Sequence, residues 1–176
     1  DPMLFDKDTR KLKFKSKNKN IEYIKVRAFD ACTFVAFGAA QIGIAGEDVI
    51  EEFDYSEVYA PMNLNIGHCK ISVAAPKSLI KKEDPETWSN VRVATKYPNI
   101  TKKFFANKGI QVEIIKLSGS MELAPTLKMC RRIVDLVSTG TTLKVNGLIE
   151  VEEIMKIQSK LIVNRSAYKT EMTKIK

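Results

Sequence analysis

The chain has 176 residues, 44% of them hydrophobic, a formal net charge of +8 and a mean hydropathy of −0.17. That length can bury one substantial core or two small ones, and no apolar run reaches the roughly 18 residues of a spanning helix; no basic-then-apolar leader opens the chain. The cysteines Cys32, Cys69 and Cys130 are odd in number and show no CxxC spacing, and the lone His68 has one cysteine beside it, so the expectation is reduced thiols in the cytoplasm, with neither a disulfide framework nor a metal centre.

Lys7, Arg10, Lys11, Lys13, Lys15, Lys17 and Lys19 crowd the start of the chain. Alternating Lys-x-Lys fits an exposed strand or hairpin, its lysines guarding the edge against pairing with another sheet. A nucleic-acid patch is the sharper alternative, but aromatic residues are sparse there and nucleic acid is not the expected partner. The positive balance also suits a small substrate carrying several phosphates. IEYIKVR (21–27) alternates as a strand, and Asp30 is placed to cap a short helix, ACTFVAF, that Gly38 ends. QIGIA (41–45) reads as a short buried strand, and GEDVIEE as a helix whose first-turn acids suit the helix dipole. CKISVAAP (69–76) is a further strand. KSLIKKEDPETWSN (77–90), polar and charged around a proline, is the most linker-like stretch and the expected crossing between domains.

VRVAT (91–95) is the next strand. Pro98 opens a helix running to Lys108 with Gly109 as its stop, and Ile100 and Phe104 share a face with Phe105 beside them. QVEIIKL (111–117) and RIVDLV (132–137) are strands, each followed by a turn rich in Gly, Ser or Thr. GLIEVEEIMKI (147–157) and KLIVN (160–164) return the chain to the first domain. Alternating strands and helices predict an α/β fold with parallel sheets. The expected division is 1–86 with 160–176 as one domain and 87–159 as the other, with a ligand in the cleft between them.

Three turns carry the candidate chemistry. Ser138, Thr139, Gly140, Thr141 and Thr142 follow a strand that holds Asp135 near its carboxyl end. Hydroxyls and N–H groups around a glycine can surround a phosphate, and the aspartate can accept from ribose hydroxyls. A Ser/Thr cap on a buried strand–helix junction explains the same residues equally well. In KLSGSMELAP (116–125), Glu122 follows Ser118-Gly119-Ser120 near the third position of a capping box, the plain alternative to a ligand role. In ATKYPNITKKFF (94–105), Lys96 can neutralise phosphate and Tyr97 can stack on a purine, although each residue type is commoner as plain surface. Three such turns on successive strands make a shared polar rim more probable than any one alone.

RVATKYPNITKKFFANKGIQVEIIKLSGSMELAP, followed by IVDLVSTGTTLKVNGLIEVEEI, resembles the ATP phosphoribosyltransferase family of histidine biosynthesis. VRAFDACTFVAFGAAQIGIAGEDVIEE upstream and KLIVNRSAYKT downstream extend the likeness over nearly the whole chain. The resemblance implies a two-domain fold like a type II periplasmic binding protein, with the active site in the interdomain cleft. It implies that phosphoribosyl pyrophosphate (PRPP) and ATP combine to phosphoribosyl-ATP and pyrophosphate, with Mg²⁺ held by substrate oxygens and no dedicated protein nucleophile. Asp135 and Ser138 to Thr142 then match the PRPP loop, and Arg27, Lys96, Tyr97 and Glu122 match positions lining the cleft. The family's Lys-Gly-Arg segment, on its first strand and helix, has no counterpart here. Gln41 stands where an aspartate is usual, His68 where a glycine is common, and Lys128-Met129-Cys130-Arg131-Arg132 replaces a less charged run. With no room after KLIVNRSAYKT for a regulatory domain, the likeness is to short-form members. These imply a separate regulatory subunit resembling histidyl-tRNA synthetase, in a homo- or hetero-oligomer. The alternative is a non-catalytic small-anion binding module of the same architecture.

Overall fold

A computed structural model of the chain describes residues 10–17, 21–80 and 88–171. Lys7, Lys19 and the middle of the expected linker lie outside the described residues. In chain order the elements are β1 (Lys13–Lys15), β2 (Glu22–Ile24), α1 (Ala28–Ala36), β3 (Ile42–Gly46), α2 (Glu47–Phe53), β4 (Val58–Asn63), β5 (Cys69–Pro76) and α3 (Lys77–Ile80). They continue with β6 (Asn90–Thr95), α4 (Pro98–Asn107), β7 (Gln111–Lys116), α5 (Leu123–Thr126), β8 (Arg132–Val137), α6 (Thr141–Val145), β9 (Leu148–Ile157), β10 (Ser159–Asn164) and α7 (Arg165–Thr170). No helix among the described residues is long and apolar enough to cross a membrane.

The chain separates into two compact units. The smaller comprises the described residues up to Ala45, Tyr55–Met62, and those from Leu161 onward; the larger comprises Gly46–Asp54 and the described part of Asn63–Lys160. This differs from the division expected at residue 86, because β5 belongs to the larger sheet.

In the smaller unit, β1 and β2 form the anticipated lysine-rich hairpin, with Phe14 opposite Tyr23 and Lys13 bridging Glu22 at 2.7 Å. β2 is shorter than the 21–27 expected. Helix α1 begins after Arg27, which places Asp30 inside its first turn instead of at the cap. There it still interacts favourably with the helix dipole. β3, expected to be buried, is the edge of a sheet ordered β3-β10-β4, and Ile42 and Ile44 are exposed. On the opposite side of β3, a Cβ on Gly43 would lie 2.9 Å from Val35 and 3.2 Å from Ile162, so the close approach of helix and strand requires glycine. Asn164 ties two helices: its Oδ1 accepts from Ala167 N–H at 2.9 Å to cap α7, and its Nδ2 donates to Val35 O at 2.9 Å near the end of α1. Strand β4 was not anticipated from sequence; Pro61 interrupts its pattern, and prolines are confined to edge strands such as this one.

The larger unit is built on a five-stranded sheet in the order β7-β6-β8-β5-β9. β6 runs parallel to β7 and β8, whereas β5 runs antiparallel to both β8 and β9. The sheet is therefore mixed, not parallel as expected. β5 is a central strand buried on both faces from Ile71 to Ala75, and such a run is equally apolar in either direction. One face carries the cluster of Ala74, Ala94, Met121, Ile133, Val137 and Leu143. Against the sheet's other side, α4 buries Ile100, Thr101 and Phe105, while Phe104 is half-buried and meets Phe105 edge-on at 5.2 Å. The helix starts at Pro98 and is followed by Gly109 at φ +70, as the sequence predicts.

Candidate functional site

Because β6, β7 and β8 are parallel neighbours, their carboxyl ends share one edge of the sheet. The turns at 96–97, 117–120 and 138–140 therefore leave that edge side by side. Thr95 pairs with Lys116 on one side and Val134 on the other, so β8 runs three residues farther and carries Asp135 past the end of β6. Asp135 is half-buried; its Oδ1 accepts the Leu136 N–H at 2.8 Å. Burial pushes this carboxyl above the ordinary aspartate value and the negative charge of Glu122 adds to the rise, while the Leu136 N–H and the positive charge of Lys96 oppose it. Glu122 and Lys96, each from a different turn, thus both act electrostatically on Asp135.

The turn after β8 presents exposed Ser138, Thr139, Thr141 and Thr142 around Gly140. Gly140 takes φ +73 and occupies the N-cap position of α6, a conformation that is strained for any residue with a Cβ. Thr139 and Thr141 hydroxyls lie 3.0 Å apart, and the Thr141 N–H approaches Thr139 Oγ1 at 3.4 Å. Gly140 has no side chain to cap α6, and the one hydroxyl contact to the helix's first N–H is the long one from Thr139. The turn after β7 exposes Ser118, Gly119 and Ser120, the last at φ +53. Glu122 stands at the N-cap of α5 in helical conformation with no capping hydrogen bond, which corrects the capping-box reading.

Tyr97 is the clearest departure from expectation. Its ring is fully buried and its hydroxyl donates to Asp48 Oδ2 at 2.8 Å, so it offers no face on which a purine could stack. Burial, followed by the nearby Asp48 charge, pushes the phenol far above its ordinary value. Lys96 Nζ lies 5.8 Å from the centroid of this ring. Arg27 belongs to the smaller unit, exposed at the start of α1. Gln41 is exposed immediately before β3.

Sequence reasoning missed Asp48 and Glu52, buried on α2. Glu52 accepts the N–H groups of Asn99 and Ile100 at 3.1 Å, and its carbonyl accepts from Asn99 Nδ2 at 2.9 Å. It therefore caps α4 from a distant segment of chain, while Asp48 fixes the tyrosine that opens the same helix. Their spacing of four residues puts both carboxylates on one helix face, and that was the available signal.

The family model HisG: ATP phosphoribosyltransferase matches residues 27–176. The ATP phosphoribosyltransferase of Rhizorhabdus wittichii is 58% identical over 175 residues, covering 99% of this chain and 79% of that protein. Among solved structures, the ATP phosphoribosyl transferase (HisG:HisZ) complex from Thermotoga maritima matches with a TM-score of 0.79 and 36% identity over 90% of this chain and 76% of that one. The crystal structure of Tv2483 bound to L-arginine, 12% identical, covers 93% of this chain and 78% of its own with a TM-score of 0.57, a likeness of fold alone. The fold is the two-domain type II periplasmic-binding-protein-like one. A sheet edge with three polar turns in the expected order, a matching model over most of the chain and close relatives along its length lead to one conclusion: the chain belongs to the ATP phosphoribosyltransferase family.

Proposed function

We propose that Asp135 and the turn from Ser138 to Thr142 bind PRPP during the reaction of this family, phosphoribosyl transfer from PRPP to adenine N1 of ATP in L-histidine biosynthesis. Adenine N1 forms the new bond to the anomeric carbon as its bond to pyrophosphate oxygen breaks. Holding two anionic substrates in line is the main demand, and it needs no protein nucleophile. The turn around Gly140 surrounds the 5′-phosphate, and Asp135 accepts hydrogen bonds from the ribose hydroxyls. The observation that carries this assignment is the parallel register of β6, β7 and β8, which sets the three polar turns on one edge with Asp135 among Lys96 and Glu122.

Lys96 offsets phosphate charge, and Arg27 and Glu122 contact the ATP side. Tyr97 contributes as a positioning residue through its bond to Asp48, holding the turn that presents Lys96. Mg²⁺ enters as part of the substrate, on phosphate oxygens. The Thermotoga relative is described as a HisG:HisZ complex. By analogy this chain works with a regulatory subunit resembling histidyl-tRNA synthetase, in an oligomer in the cytoplasm.

Initial-rate measurements of phosphoribosyl-ATP formation, with the regulatory subunit added, test the assignment. Asp135→Asn should lower kcat/KM for PRPP by roughly 10- to 100-fold, the range for losing charge-assisted hydrogen bonds, with a smaller effect on the KM for ATP. Unchanged PRPP kinetics in this variant would remove Asp135 from the site.

A further inference from the structure

We propose that the turn after β7, Ser118-Gly119-Ser120, receives a diphosphate group against the backbone of Gly119, an inference that rests on reading the turn after β8 as the PRPP loop. The reaction offers two sources of that group, the pyrophosphate of PRPP and the triphosphate of ATP.

Gly119 carries the argument by exclusion. The chain has eight glycines, all of them among the described residues. Gly38, Gly67, Gly109, Gly140 and Gly147 take positive φ, a conformation that favours glycine. A Cβ on Gly43 or Gly46 would come within 2.9 or 2.1 Å of a side-chain atom. Gly119 has neither reason: its φ lies outside the left-handed region, and a Cβ on it would meet nothing within 4 Å among the described residues. The protein's own packing therefore does not call for glycine there. Close approach of a ligand to the main chain is the need that remains.

Ser120 points the same way. It takes φ +53, the conformation a glycine would adopt without strain, while the glycine stands one residue earlier on ordinary backbone. That arrangement sets an exposed hydroxyl beside an open stretch of main chain. The N–H groups of Ser118, Gly119 and Ser120 donate to no acceptor among the described residues. Successive N–H groups in a turn form a concavity suited to phosphoryl oxygens. Met121, 1% exposed, packs in the core cluster with Ala94 and Ile133 and pins the turn from below.

Because β6 lies between β7 and β8, this turn stands two strand spacings, about 10 Å, from the PRPP loop. PRPP carries its 5′-phosphate and its pyrophosphate on either side of one ribose. A molecule held by its 5′-phosphate at Gly140 can thus extend the pyrophosphate past Lys96 toward Gly119. Glu122 closes the turn, and its charge is compatible with a diphosphate that arrives as the Mg²⁺ complex.

Gly119→Ala adds a methyl group in open space, so its thermal transition should be unchanged or higher. With the regulatory subunit added, this variant should lower kcat/KM for PRPP or for ATP by roughly 10- to 100-fold, the range for displacing a substrate on the order of 1 Å. A loss confined to PRPP assigns the turn to its pyrophosphate, and one confined to ATP assigns it to the triphosphate. Ser120→Gly relaxes the backbone and removes the hydroxyl; it should raise Tm and lower the same kcat/KM by roughly 2- to 10-fold. Calorimetric titration of the full chain with Mg²⁺-pyrophosphate should show saturable binding that Gly119→Ala weakens, while ribose 5-phosphate binds both proteins equally. The proposal is overturned if pyrophosphate binding does not saturate, if Gly119→Ala changes neither kcat/KM, or if it weakens ribose 5-phosphate as much as pyrophosphate. Failure of the PRPP reading has a different signature: Asp135→Asn would leave ribose 5-phosphate binding untouched, and the pyrophosphate titration of Gly119→Ala would still decide the turn after β7.

Discussion

Asp135 sits where function and stability pull apart. Its pKa is raised in the folded state, chiefly by burial. A group of this kind favours folding fully below its unfolded pKa, and the contribution is lost as pH rises through the folded value. At neutral pH the ionised carboxylate is therefore a cost to the fold. Asp135→Asn keeps an oxygen for the Leu136 N–H and carries no charge, so thermal unfolding should show it more stable than the parent at neutral pH. The two should converge in acid. The same shift moves the acid limb of kcat/KM for PRPP above the ordinary aspartate range, and Asp135→Asn should abolish that limb. Lys128 offers a second test. Replacing a left-handed lysine by glycine removes backbone strain but adds unfolded-state entropy, leaving a net gain of about 0.5–1 kcal/mol. In a chain of this size that raises Tm by roughly 1–4 °C.

Among the elements, α4 depends on α2. Glu52→Ala leaves the Asn99 and Ile100 N–H groups without their acceptor and should cost about 1–2 kcal/mol, read as a lower urea midpoint. Hydrogen exchange at those two amides should quicken, and Glu52→Gln should restore part of the loss. This cap also marks where local sequence stops being informative. The bounds of α4 and β5 were readable because Pro98, Gly109 and an apolar run are local signals. The turns on one edge were readable too, since each follows its own strand. Strand direction was not: β5 runs against both β8 and β9, and nothing in the periodicity of CKISVAAP encodes a partner or an orientation. Tyr97 was misread for a related reason, as its acceptor Asp48 lies 49 residues earlier and aromatic side chains look alike whether stacked on a ligand or buried. First-turn acids on α2 likewise had a sufficient local explanation in the helix dipole.

For the molecule as a whole, the charge of +8 sets how anionic substrates arrive. Exposed lysines on the β1–β2 hairpin contribute to a positive field that salt screens within about 10 Å at 0.1 M. Steady-state rates should show kcat/KM for PRPP falling roughly 2- to 10-fold as salt is raised from low to near-molar concentration, with kcat little changed. An unchanged kcat/KM would mean that the field plays no part in capture. The path of the chain through the two units has a consequence for assembly. The larger unit takes Gly46–Asp54 from far upstream, and Glu52 precedes the amides it caps by 47 and 48 residues. A fragment beginning at Asn63 would contain every strand of the five-stranded sheet yet lack both carboxylates that anchor α4, so it should fold poorly on its own. During synthesis on the ribosome the order is favourable: the cap emerges first and waits for its helix, which can dock as soon as its first turn forms.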